Sequence, residues 1–160
     1  MEHVGYTVKP GRIIRVYSSE ETAEIDKEWV KAYCKDKQGA NIKDYRWHIF
    51  SFEKYPAISG DAALDCYKTE RACEYIVLSN DGELAIETDE LPTDADFLDF
   101  LVFPRNMAWT MAYTHEDGYL GPYFAKHKDY QQLTLENKRL LKANENKLAA
   151  IEIAKEKGWM

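Results

Sequence analysis

The chain predicts one α+β domain: an antiparallel sheet of about five to seven strands with an N-terminal helix, a short middle helix and a long C-terminal helix. Three observations carry that prediction. Two β-type segments bracket Asn80-Asp81-Gly82, and Met107 to Thr114 alternates large with small residues. From about Asp129 to Lys157 the pattern turns helical. At 160 residues the chain suits a single domain that buries about two thirds of its unfolded surface.

Residues 1–11 hold Gly5, Pro10 and Gly11 and read as a loosely ordered lead-in. Arg12 to Tyr17 is a first strand. Ser18 and Glu21 then form a Ser-x-x-Glu capping box, opening a helix to about Asp36. In it Ile25, Trp29 and Tyr33 recur at steps of four and make one apolar stripe facing the sheet. Trp47 to Phe52 reads as a strand buried on both sides. Ser59 caps a short helix from Asp61 to about Lys68, which buries Leu64 and Tyr67.

Glu74 to Ser79 and Glu83 to Glu87 form a hairpin, because Asp-Gly tolerates the positive φ angles of a tight turn. Phe97 to Phe103 is apolar except at Asp99 and stops at Pro104. Next, Met107, Trp109, Met111 and Tyr113 share one strand face, and Ala108, Thr110, Ala112 and Thr114 the other. The bulky face should meet the core, and the small one should lie under a helix or line a shallow groove. Asp117-Gly118 as a two-residue turn would pair Glu116 with Tyr119 and Thr114 with Gly121. Pro122 places the returning strand at an edge or a bulge. In the final helix, Leu133, Leu140, Leu141, Leu148 and Ile151 form a stripe interrupted by Asn137 and Asn144. That stripe can dock on the sheet or form a dimer seam.

Composition excludes several classes. An aromatic content of 13% argues against disorder. No apolar stretch reaches the ~20 residues of a membrane span, and the N-terminus lacks a signal-peptide core, so a cytoplasmic protein is expected. Cys34, Cys66 and Cys73 are odd in number and lack Cys-x-x-Cys spacing, so neither disulfides nor zinc are indicated. A net charge of −7 repels a phosphate backbone and excludes nucleic acid as the expected partner, while favouring a basic protein.

Two segments are candidates for function. Glu87, Asp89, Glu90, Asp94, Asp96 and Asp99 form an acidic run from 87 to 99 free of Lys and Arg. It is either a solvated loop or a surface for a basic partner, where charge complementarity speeds association. The second is the hairpin, with Trp109, Thr110, Thr114, His115, Glu116 and Tyr123 as candidate ligand-binding residues. His and Glu are capable acid–base groups. Neighbours on a strand point to opposite faces, however, and neither Gly-x-Ser-x-Gly nor His-Glu-x-x-His occurs, so no catalytic residue is assigned. His3, His48, His115 and His127 lack ligand spacing, so no metal or cofactor is expected unless His115 and His127 converge with Glu116.

At Trp109-Thr110, Thr114-His115-Glu116 and Gly121-Pro122-Tyr123-Phe124 the chain resembles a family of small, functionally uncharacterised bacterial proteins, some in prophage settings. The resemblance implies no activity and carries no catalytic residue across. In size and acidity the chain is also similar to immunity proteins of bacterial toxin systems. The sequence therefore predicts an acidic, stoichiometric protein-binding inhibitor. The alternatives are a small-molecule-binding domain or small enzyme built on the hairpin, and a homodimer through residues 129–157.

Overall fold

The middle strand of the sheet is apolar on both faces. Phe100 and Val102 pack on one side, Leu101 and Phe103 on the other, and all four are buried. The computed structural model describes residues 8–34, 48–51, 53–95, 99–114 and 122–158. In chain order its elements are β1 (Val8–Lys9), β2 (Ile13–Val16), α1 (Ser19–Tyr33), α2 (His48–Ser51), β3 (Ile58–Ser59), α3 (Asp61–Thr69) and β4 (Tyr75–Ser79). They continue as β5 (Ala85–Thr88), β6 (Asp94–Ala95), β7 (Phe100–Pro104), β8 (Trp109–Tyr113), β9 (Tyr123–Lys126) and α4 (Tyr130–Glu156). The 7-stranded sheet runs β2-β5-β4-β7-β8-β9-β3 and every neighbouring pair is antiparallel. A separate two-stranded sheet joins β1 to β6. The chain is an α+β single domain, as the sequence predicts.

Each face of the sheet has its own core. On one side, Trp29 and Tyr33 of α1 and Ile49 and Phe50 of α2 cover Ile76, Leu78, Leu101 and Phe103. On the other, Ala63 and Tyr67 of α3 pack with Val77, Ile86, Trp109 and Phe124. Alternation along β4 and β7 feeds both cores in turn, which is why these strands read as nearly continuous apolar runs.

The capping box forms as expected: Glu21 N–H donates to Ser18 Oγ at 3.1 Å, and Ser18 N–H to Glu21 Oε1 at 3.1 Å. The helix ends at Tyr33, and the expected extension to Asp36 lies outside the described residues. In the β4–β5 hairpin, Gly82 takes φ +75°, while its N–H donates to Ser79 and Ser79 N–H donates to Leu84. Glycine reaches that φ without the Cβ clash that opposes it elsewhere.

Several expectations need correction. The segment read as a strand from Trp47 to Phe52 contains a helical turn, His48–Ser51, stapled by Lys54 and Tyr55 N–H groups donating to the Ile49 carbonyl. Burial was legible there and type was not, because a short apolar run has no period to distinguish helix from strand. Trp47 and Phe52 lie outside the described residues. Ser59 does not cap α3. It sits in β3 opposite Tyr123, and Gly60 holds the cap position without a side-chain bond. The lead-in contains β1, which pairs with β6.

Met107 departs from the expected strand face. It takes φ +60°, so the alternation resets there and its side chain joins Tyr33 and Ala112, opposite Trp109 and Met111. The small face of β8 does lie under a helix, where Trp29 Nε1 of α1 donates to Thr110 Oγ1 at 3.0 Å. Ala112 opposite Tyr123 continues the Thr114–Gly121 register that the Asp117-Gly118 turn implies, although the turn itself lies outside the described residues. Strand β9 is not an edge, since β3 pairs with it, and Pro122 stands just before it with its carbonyl accepting from Gly60 N–H at 2.9 Å.

The long helix α4 has 27 residues, about 40 Å of length. It docks by its first turns. Tyr130 Oη donates to Glu70 Oε2 at 2.5 Å, Leu133 packs on the α3 side of the sheet, and Asn137 is buried. Asn137 Nδ2 donates to Asn106 Oδ1 at 3.2 Å, and Asn106 Nδ2 donates to the Leu133 carbonyl at 3.0 Å. So Asn137, which resembled a coiled-coil polar position, fixes the helix to its own domain. Further along, Leu140, Leu148 and Ile153 are exposed.

Candidate functional site

The predicted ligand-binding residues are mostly spent on the core. Trp109 and Thr110 are fully buried, and Thr114 and Tyr123 nearly so. The Trp109 ring stacks on Phe124 at 5.7 Å and meets Tyr67 edge-on at 5.7 Å, so it contributes packing. His115 and Glu116 lie outside the described residues.

The acidic run is divided by the fold. Glu87 points inward on β5, where Tyr17 Oη donates to its Oε1 at 2.6 Å and Arg105 Nη2 donates to the same oxygen at 3.2 Å. Burial, reinforced by the Glu87 carboxylate, pushes the Tyr17 phenol up to about 12. Asp99 is also buried. Burial alone would raise the Asp89 carboxyl, but Arg12 N–H at 2.7 Å and its guanidinium outweigh that and hold it below the usual range. Glu90 is exposed; Asp94 lies in β6, and Asp96 falls outside the described residues.

Sequence reading missed a different acidic surface. Glu20, Glu24 and Glu28 recur at one-turn steps along α1, all exposed, opposite the buried Trp29 and Tyr33. Their spacing was the available signal. Glu20 is favourable at the positive end of the helix dipole. Like charges at i, i+4 otherwise cost a helix about 0.2–0.5 kcal/mol per pair.

An open cleft of about 390 Å³ lies where the later turns of α1 face the β7–β8 turn and the residues following β9. Glu28 and Lys31 line it from α1, Arg105 and Asn106 from the turn, and His127 and Lys128 from beyond β9. The turn is closed by two bonds of its own and held by a third from α1. Met107 N–H donates to the Pro104 carbonyl at 2.9 Å, Tyr33 Oη donates to the Met107 carbonyl at 2.9 Å, and Asn106 Oδ1 accepts from Ala108 N–H at 3.1 Å. These bonds hold Met107 at a φ that costs a non-glycine residue about 1–3 kcal/mol. Such strain persists only where the surroundings over-determine it.

Arg105 is anchored from behind. Glu87 and Tyr17 engage Nη2, Glu74 lies 3.7 Å from Nε, and more than half of the side chain remains exposed. At His127, Nδ1 accepts from Asp129 N–H at 3.0 Å, so a neutral ring carries its proton on Nε2 and donates from there. Sequence reading named His127 only as a metal candidate, and among the described residues no group of three or more metal-ligating side chains forms. The convergence of Lys31, Arg105 and Lys128 was invisible because about a hundred residues separate the first from the last.

The fold thus brings two charged features to its surface, the Glu20-Glu24-Glu28 face of α1 and a cleft lined by Lys31, Arg105 and Lys128 with Glu28, on an α+β domain. The chain belongs to a family described as a domain of unknown function, DUF4275, whose model matches residues 15–124. The match runs from β2 into β9, ends at Phe124 of the Gly-Pro-Tyr-Phe step, and leaves α4 outside it. No curated protein and no solved structure matches the chain. No helix among the described residues is long and apolar enough to cross a membrane.

Proposed function

We propose that this chain is a stoichiometric protein-binding domain, an immunity-like inhibitor of bacterial or phage origin that acts in the cytoplasm on a basic partner protein. The observation that carries the reading is the row Glu20, Glu24 and Glu28 on the outer face of α1. The row is not required for folding, because the opposite face of α1 supplies the packing. It also sets like charges one turn apart at a cost to the helix. Glu90 adds to the same sign of surface, while Glu87 and Asp99 are committed inside. A net charge of −7 steers a basic partner toward this body.

The test is capture from the source lysate followed by association kinetics. The Glu20→Gln, Glu24→Gln, Glu28→Gln variant should keep its thermal stability and associate about tenfold or more slowly at low salt, with the difference fading as salt rises. Equal on-rates at low salt would remove this surface from the interface.

A second reading, homodimerisation through α4, is favoured by one observation: Leu140 and Leu148 are each more than half exposed on a helix that outruns its docking site. An isolated helix of fewer than about 12–15 residues is marginal in water, so an uncovered end gains from a partner. Light scattering should give twice the 18.6 kDa chain mass, and a Leu140→Gln, Leu148→Gln variant should return it to one chain. A monomeric wild-type mass would end this reading.

A further inference from the structure

The cleft beside the β7–β8 turn reverses the charge of the molecule that carries it. On a chain of net charge −7, its lining sets Lys31, Arg105 and Lys128 against Glu28. Glu87 and Glu74 already offset much of the Arg105 charge, so the excess positive charge comes from Lys31 and Lys128, whose repulsion a bound anion relieves. The cations also come from three separate elements, α1, the β7–β8 turn and the exit of β9, so they line the cleft from different sides. That arrangement suits a tetrahedral oxyanion better than a planar carboxylate, which a single guanidinium fork satisfies.

We propose that this cleft binds the phosphate group of a small phosphorylated metabolite. The volume of about 390 Å³ lies at the small end of the range for ligand pockets. Arg105 is already oriented by Glu87 and Tyr17, which engage Nη2. Asn106 belongs to a turn fixed by Tyr33, Met107 and α4, so the recognition groups are organised before the ligand arrives. His127 lines the same cleft, its Nδ1 accepting from Asp129 N–H. The protein-partner reading concerns the outer face of α1 and shares only Glu28 with this cleft, so Lys31→Gln and Lys128→Gln test this inference separately from it.

The experiment is calorimetric titration of the full chain with glycerol phosphate, inorganic phosphate and malonate, read in parallel by the NMR resonances of His127. Glycerol phosphate should bind one to one and shift those resonances, inorganic phosphate more weakly, and malonate more weakly than glycerol phosphate. Lys31→Gln and Lys128→Gln should each weaken glycerol phosphate about tenfold, the loss expected for one charge-assisted bond. Both side chains are exposed, and unchanged thermal unfolding would show that the fold is intact. Glu28→Gln, which removes the opposing charge of the lining, should tighten binding. The proposal is overturned if no heat and no His127 shift appear, if malonate binds as tightly, or if Lys31→Gln and Lys128→Gln bind like wild type.

Discussion

Replacing Trp29 with alanine is expected to lower the stability of the domain by about 3–5 kcal/mol. Denaturant unfolding would report this as a lower midpoint at an unchanged slope. Trp29 is fully buried, with ring centroids 5.3 Å from Tyr33 and 6.0 Å from Phe50. It is also a polar tie between α1 and the sheet, through Thr110. Deleting it opens a cavity among aromatic rings that cannot collapse into the space. Trp29→Phe keeps much of the volume but leaves the Thr110 hydroxyl buried without its donor, at about 1–3 kcal/mol. Thr110→Val orphans the indole N–H from the other side. A double-mutant cycle on the pair should give a coupling above about 0.5 kcal/mol. A coupling near zero would reduce the role of the bond to shape alone.

Raising the pH should unfold this protein through its tyrosines. Burial pushes Tyr33 and Tyr67 well above the ordinary phenol value; Tyr75 is raised for the same reason, and Tyr17 reaches about 12. Each raised value means that the fold favours the neutral phenol. In the unfolded chain these groups ionise near pH 10, so above that pH the folded state holds more protons than the unfolded one. Their contribution is therefore complete below pH 10 and is lost as the pH climbs above it, through about 12 for Tyr17. Each tyrosine held neutral removes at most about 1.4 kcal/mol per pH unit above pH 10, so several acting together make stability fall steeply there. The ionisation of Tyr33 and Tyr67, followed by the NMR resonances of their rings, should coincide with the loss of circular dichroism. Ionisation of either near pH 10 in a chain still folded would contradict the burial of these rings.

The acidic helix face and the basic cleft differ in how far the linear chain reveals them. Glu20, Glu24 and Glu28 stand on one helix at a helical spacing, so a reader attending to the polar face of α1 could have found them. The run from Glu87 to Asp99 stood out more because it is dense in acid, yet density in sequence says nothing about direction. Glu87 lies on a strand between β2 and β4, where its side chain meets Tyr17 and Arg105. Lys31, Arg105 and Lys128 have no local signature, since only the crossing of α1 over the sheet brings them together.

By itself the sequence determined those features whose cause lies within a few residues. They include the Ser18–Glu21 cap, the Asp81-Gly82 hairpin, the β8–β9 register implied by Asp117-Gly118, the Ile25-Trp29-Tyr33 stripe and the extent of α4. Each depends on local hydrogen bonding or on a period that burial enforces. Tertiary structure decided the rest. It made a helical turn of His48–Ser51, because an apolar run of that length is equally buried as helix or strand. It turned Met107 to the opposite face through a φ of +60° held by Tyr33 and Pro104. It tied Asn137 to Asn106 within the domain and spent Trp109, Thr110 and Tyr123 on packing. Those outcomes depend on partners distant in the chain, and contacts of that kind exist only once the sheet has closed.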